Sequence, residues 1–177
     1  MQLALPIRTV PHFPKPGIGF KDITPILQDP AAFAACLDRL LELCPPEGYD
    51  VVLGVEARGF LFGAPLALKA GKPFVPARKP GKLPWKHLTH EYELEYGTDR
   101  LELHLDACAP GQRVLLVDDL LATGGTLLAA AALVRQLGGV PVAAACVVEL
   151  SFLPGRARLE ADGLLVHALA VEDSEEC

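Results

Sequence analysis

The chain has 177 residues, 51% of them apolar and 21% charged, and its 16 Lys and Arg against 22 Asp and Glu leave a formal charge of −6. That length predicts one domain with a sizeable core, and the acidic balance argues against a nucleic-acid partner. No apolar run approaches the ~18 residues of a membrane span, so no membrane attachment is expected.

The N-terminus shows no basic leader followed by a long apolar stretch, which predicts no secretory signal. The five cysteines, Cys36, Cys44, Cys108, Cys146 and Cys177, are odd in number and form no Cys-x-x-Cys pair. Reduced thiols in a cytoplasmic protein are the direct expectation.

Three prolines within residues 11–16 forbid a regular helix or a central strand, so residues 11–17 are expected to wrap the surface. In Gly19-Phe20-Lys21, a glycine beside an aromatic lets backbone and ring approach a flat ligand together. Asp22-Ile23-Thr24-Pro25 is turn or cap chemistry. Asp29 suits an N-cap with Pro30 at the first helical position. Phe33, Leu37, Leu40 and Leu41 then fit helical spacing until Pro45-Pro46 stops the helix.

Val51-Val52-Leu53-Gly54-Val55 predicts a buried strand that delivers Glu56-Ala57-Arg58-Gly59 at its C-terminal end. A helix over about 60–70 follows, stopped by Gly71, and residues 73–76 form the next strand of a right-handed βαβ unit. Arg58 beside a glycine at a strand end points to anion binding. A solvated arginine at a helix start is the plainer alternative.

Residues 78–96 break that rhythm. Arg78, Lys79, Lys82 and Lys86 put four cations into nine residues, interleaved with Pro80, Gly81, Pro84 and Trp85. Such a stretch is either a solvated loop or a lid that closes over a polyanion. Glu91, Glu93 and Glu95 alternate with Tyr92, Leu94 and Tyr96, which is the period of a strand. After a turn at 97–99, Leu101, Leu103 and Leu105 alternate with Glu102, His104 and Asp106. A β-hairpin is predicted, with its glutamates in solvent.

Residues 114–126 carry the strongest signal. Val114 to Val117 form an unbroken apolar run, which suits a strand buried on both faces of a parallel sheet. Asp118-Asp119 then fall at its C-terminal end, where ligands bind in open α/β folds. Ala122-Thr123-Gly124-Gly125-Thr126 supply hydroxyls, N–H groups and permissive glycines at the start of a helix over 127–137. That combination is a phosphate cradle. Carboxylates beside a phosphate site suit a phosphorylated ribose. A strand over 142–150 ending in Glu149, a last strand at 164–166 and a frayed acidic tail at 172–177 complete the chain. Alternating strands and helices place it in the α/β class.

The acidic pair has three readings: a solvated strand end, the acidic pair of a response-regulator receiver, or a ribose clamp. A receiver carries that pair near its start, whereas 58 residues follow Asp119 here. The absence of any Gly-x-x-x-x-Gly-Lys-[Ser/Thr] loop removes a nucleoside triphosphatase of that type.

Residues 114–126 resemble the phosphoribosyl-pyrophosphate motif of type I phosphoribosyltransferases. Phe20-Lys21-Asp22-Ile23-Thr24-Pro25, Ala57-Arg58-Gly59-Phe60-Leu61-Phe62-Gly63, Arg78-Lys79-Pro80-Gly81-Lys82-Leu83-Pro84 and Leu94-Glu95-Tyr96-Gly97 resemble, in order, the adenine branch of that family. Gly19 stands where relatives often carry an aliphatic residue, and Lys21 where an arginine is common. The resemblance implies a three-layer open, mainly parallel sheet flanked by helices. It also implies one domain over 1–177, with a hood at about 1–25 and a mobile lid and hairpin at about 78–105.

The implied reaction moves a 5-phosphoribosyl group from phosphoribosyl pyrophosphate to N9 of adenine, giving AMP and pyrophosphate. Magnesium would travel with the donor, held by ligand oxygens and water rather than by protein side chains. By the same resemblance Asp118 and Asp119 accept hydrogen bonds from the ribose hydroxyls, and Ala122, Thr123, Gly124, Gly125 and Thr126 hold the 5-phosphate. Arg58 and Lys82, with Arg78 and Lys79, meet pyrophosphate. Phe20 stacks on adenine, the backbones of Gly19 and Lys21 read its edge, and Glu95 handles a base proton. A cytoplasmic homodimer is implied. The rivals are an enzyme for guanine, hypoxanthine or xanthine, and a non-enzymatic regulator that senses the donor. The negative charge and the presence of both Arg58 and the lid cations weigh against the regulator.

Overall fold

A computed structural model describes residues 5–93 and 98–174. Two short antiparallel strands, β1 (Arg8–Val10) and β2 (Phe20–Asp22), come first, followed by helices α1 (Thr24–Gln28) and α2 (Pro30–Leu43). Then come β3 (Val51–Val55), α3 (Gly59–Ala70), β4 (Phe74–Ala77), and the hairpin of β5 (His87–Glu93) and β6 (Thr98–His104). The chain continues through β7 (Arg113–Leu121), α4 (Gly125–Gln136), β8 (Val140–Leu150), α5 (Gly155–Ala161) and β9 (Leu165–Glu172).

The apolar runs become one five-stranded sheet in the order β4-β3-β7-β8-β9, parallel throughout. Successive side chains of a strand face opposite sides, so β3 and β7 each feed two cores. Val51, Leu53, Val55, Val114 and Leu116 pack with α4, α5 and the hairpin. Val52, Leu115 and Val117 pack with α1, α2 and α3. Coverage on both faces is why these strands carry no polar alternation. From β3 the chain winds outward to β4, and from β7 it winds the other way through β8 to β9. Strand order therefore reverses between β3 and β7, the crevice where open α/β sheets bind ligands.

Local chemistry sets the element ends. The Asp29 carboxylate accepts hydrogen bonds from the Ala31 and Ala32 amides, at 2.9 and 3.3 Å, and caps α2. Gly71 ends α3 in the left-handed conformation.

Several expectations needed correction. The Pro-rich opening is not among them: it is irregular and exposed over 11–18, as its prolines predict, and the segments on either side pair as β1 and β2. Strand β7 does not stop at the acidic pair. It carries both aspartates and runs to Leu121, paired with β8. Strand β9 is longer than predicted, and its last residue, Glu172, is ion-paired to Lys21 at 2.8 Å rather than frayed. Glu102 is buried, not solvated: it accepts a hydrogen bond from the Gly81 amide at 3.1 Å and faces His87. Helix α5 was not predicted; in seven residues its spacing offers too little signal. Among the described residues no helix is long and apolar enough to cross a membrane.

Candidate active site

The site starts from the end of β7. Asp119 is buried and Asp118 half-buried, and the Asp119 amide donates to Asp118 Oδ1 at 2.9 Å. Burial lifts the pKa of both carboxyls. For Asp118 the neighbouring Asp119 charge lifts it further, while Arg58 pulls both down. Arg58 provides that counter-charge directly, with Nε 2.9 Å from Asp119 Oδ2. It can reach because the first turn of α3 lies against β7. A Cβ on Gly59 would stand 2.6 Å from the Val117 carbonyl oxygen and 3.2 Å from Asp118 Oδ1.

Beyond the aspartates the chain turns into α4. A cavity of about 80 Å³ opens there, lined by Asp118 and residues 120–127. Gly124 takes φ 78°, a left-handed conformation that a side chain would strain. The first N–H groups of α4 have no partner within the helix, and the helix dipole adds positive potential at this end. The lining holds the Thr123 and Thr126 hydroxyls but no Lys or Arg. An anion held here depends on backbone and hydroxyl donors.

On the other side of the aspartates lies a cluster of cations. The Arg58 guanidinium stands 5.1 Å from the centre of the Phe20 ring, within cation–π range. Phe20 in turn meets Phe13 edge-on. Glu56, at the end of β3, collects the basic stretch: Lys82 Nζ lies 2.6 Å from Oε1, while Arg78 Nε at 3.2 Å and the Lys79 amide at 2.8 Å reach Oε2. Burial alone would raise the Glu56 carboxyl, but these three donors outweigh it and hold it down at about 2. The Glu56–Ala57 peptide bond is cis.

Lys79 points elsewhere. Its ammonium pairs with Asp99 and donates to the Tyr92 hydroxyl at 3.0 Å; that hydroxyl lies 3.4 Å from Thr126 Oγ1. A polar chain thus links the basic stretch to the phosphate-type cradle.

Of the residues singled out in the sequence, Asp118, Asp119, Arg58 and Phe20 converge, and Ala122 to Thr126 line the adjoining cavity. Arg78 and Lys82 gather on Glu56, next to Arg58 in the chain loop. Gly19 precedes Phe20 at the entry to β2. The Lys21 side chain is directed away: it is buried, donates to Thr9 Oγ1 at 3.1 Å and pairs with Glu172. Only its backbone is left to meet a ligand. Glu95 lies outside the described residues. Glu56 was visible in the sequence as a polar residue at a strand end, without a role. Tyr92 read only as the apolar phase of a hairpin.

The arrangement offers a cradle for one anion, a cationic cluster for another, and two carboxylates between them that suit hydroxyl groups. Comparisons with known proteins agree with that chemistry. The profile described as phosphoribosyl transferase domain matches residues 22–161. The chain is 54% identical to an adenine phosphoribosyltransferase of Serratia proteamaculans (strain 568) over 163 residues, which is 92% of this chain and 82% of the relative. It superimposes on the crystal structure of the adenine phosphoribosyltransferase from Thermoanaerobacter pseudethanolicus with a TM-score of 0.90 at 54% identity, covering 94% of this chain and 95% of the other. The Saccharomyces cerevisiae adenine phosphoribosyltransferase, solved with D-2,5-dideoxy-2,5-imino-altritol 1,6-bisphosphate and adenine, gives 0.87 at 42% identity, covering 94% and 96%.

Proposed function

This chain belongs to the phosphoribosyltransferase family, in its adenine branch, and from that membership we propose that it makes AMP and pyrophosphate from adenine and phosphoribosyl pyrophosphate. The observation that carries the reading is the placement of Asp118 and Asp119 between the cradle of residues 122–126 and the cation Arg58. A donor with a 5-phosphate at one end, pyrophosphate at the other and hydroxyls between them matches that order. One adenine phosphoribosyltransferase relative was solved with adenine itself.

In this mechanism the protein supplies position and charge rather than a nucleophile. Backbone N–H groups of the cradle, with Thr123 and Thr126, fix the 5-phosphate. Asp118 and Asp119 accept hydrogen bonds from the ribose hydroxyls and hold the anomeric carbon still. Arg58 passes from Asp119 to the pyrophosphate as the hydroxyls take its place, and Lys82 and Arg78 add charge on the same side; the Lys79 ammonium would join them only by leaving Asp99. Phe20, uncovered by that move, offers its face to adenine, whose edge meets the backbones of Gly19 and Lys21. Glu95 handles a proton of the base; that role rests on resemblance to relatives.

Magnesium fits as part of the donor. The Glu56 oxygens are engaged by Lys82, Arg78 and the Lys79 amide, Asp119 faces Arg58, and among the described residues no three His, Cys, Asp or Glu side chains gather at metal-binding spacing. Bound to the pyrophosphate oxygens, the ion would neutralise charge on the leaving group. The same reading takes the chain as one functional unit, with a hood over about 1–25 and a lid over about 78–105. It also makes the protein a cytoplasmic homodimer. Leu61 and Leu68, exposed on α3, supply apolar surface for a second copy, and the four described cysteines are free thiols.

Competition among purines tests the base. With phosphoribosyl pyrophosphate and magnesium present, adenine should be consumed ahead of guanine, hypoxanthine and xanthine. Preferred turnover of any of the other three would reassign the substrate, and donor binding with no turnover of any base would favour a sensor.

A further inference from the structure

We propose that Arg158 is a positioning residue for the phosphate cradle, setting from behind the direction in which its backbone amides point. The inference rests on the assignment of residues 122–126 to the 5-phosphate of the donor. Arg158 Nη1 donates to the Thr123 carbonyl oxygen at 2.7 Å. In a trans peptide the C=O and the following N–H point in opposite directions. A guanidinium that holds the Thr123 carbonyl outward therefore turns the Gly124 N–H toward the cavity.

Helix α5 supports the neighbouring peptide as well. Gly155 approaches so closely that a Cβ there would stand 2.2 Å from the Ala122 oxygen, and Gly124 packs back on the Gly155 carbonyl. The helix is itself anchored. Arg156 pairs with the buried Glu149 and donates to the Val166 carbonyl at 2.9 Å, while Leu159 is fully buried. The cradle lining contains no Lys or Arg. A cation bonded to the outer face of the loop polarises the peptide it touches and adds positive potential without competing for the phosphate oxygens. Arg158 itself is exposed and its other contacts are those of a helix backbone, so its removal leaves the core intact.

The test is calorimetric binding of ribose 5-phosphate and, separately, of magnesium pyrophosphate, with steady-state kinetics alongside. Arg158→Met should raise the ribose 5-phosphate Kd and the KM for phosphoribosyl pyrophosphate by about tenfold, the scale of one lost bond to a charged group. Its kcat should stay within about twofold of wild type and its pyrophosphate Kd should not move. Arg158→Lys, which keeps a charged donor, should recover most of the loss. Arg158→Gln, with a neutral donor, gives an intermediate loss and replaces the Met variant if that fails to fold. Wild-type affinity for ribose 5-phosphate in the Met or Gln variant overturns the proposal, as does equal loss of both ligands and kcat. A wild-type protein that binds pyrophosphate but not ribose 5-phosphate fails the assignment of the cradle itself, a different result from a silent Arg158.

Discussion

Arg58 is the residue on which both halves of the site turn. It neutralises Asp119 at 2.9 Å and covers the Phe20 ring at 5.1 Å, so in the proposed mechanism donor and base both have to displace it. Its charge also opposes the upward pull that burial exerts on both aspartates and that the Asp119 charge adds at Asp118. Removing it, as in Arg58→Met, should lift both carboxyls further. Because the proposed mechanism needs the ionised pair to accept the ribose hydroxyls, kcat/KM for the donor should then begin to fall at a higher pH than in wild type. A pH–rate profile measures this. A variant that is slower but keeps the wild-type acid limb shows that Arg58 is not the counter-charge. The glutamates at positions 91 and 95 make a second comparison. Glu91 is an exposed partner of Arg100 at 2.8 Å, and such pairs are worth little. Glu95→Gln should therefore lower turnover far more than Glu91→Gln in a steady-state assay. Equal, small effects would remove Glu95 from the chemistry.

At the scale of elements, the basic stretch after β4 is held by its own acids. Glu56 takes Lys82, Arg78 and the Lys79 amide, Asp99 takes the Lys79 side chain, and Glu102 takes the Gly81 amide. These contacts tie the stretch to the loop before α3 and to β6. Glu56→Gln should loosen it, at a cost of about 1 kcal/mol once the exposure of Lys82 and Arg78 is discounted, or about 2–4 °C in Tm. The sign with pH follows from the lowered carboxyl. Glu56 contributes its full stabilisation above its unfolded value of 4.5 and loses it as pH falls toward about 2. Thermal melts of wild type and variant should therefore differ near neutrality and converge across that window. A difference that persists at the acid end would mean that shape rather than charge holds the stretch. Helix α5 does for residues 122–124 what Glu56 does for the cations: each sits behind a loop of the proposed site and holds it in place.

Across the whole molecule, what could be read from the sequence were features carried by neighbouring residues. Runs such as 51–55 and 114–117 announce strands covered on both faces, Asp29-Pro30 announces a helix start, and Gly124-Gly125 beside two threonines announces the glycine turn into α4. What could not be read depends on segments far apart in the chain. Nothing near Lys21 shows that its ammonium meets Glu172, and nothing near Glu102 shows that the Gly81 amide buries it. The same holds for Arg158 and Thr123, 35 residues apart. Identical residue types in one alternating run also leave Glu91, Glu93 and Glu95 indistinguishable without the resemblance. The central claim is that the acidic pair clamps a ribose between two anion sites. It is tested most directly by magnesium-dependent binding of phosphoribosyl pyrophosphate, ribose 5-phosphate and pyrophosphate to wild type and to an Asp118→Asn, Asp119→Asn variant. The variant should bind the two ribose ligands about a hundredfold more weakly, for two lost charge-assisted bonds, and should bind pyrophosphate as wild type does. Unchanged affinity for phosphoribosyl pyrophosphate in the variant would contradict the sugar clamp.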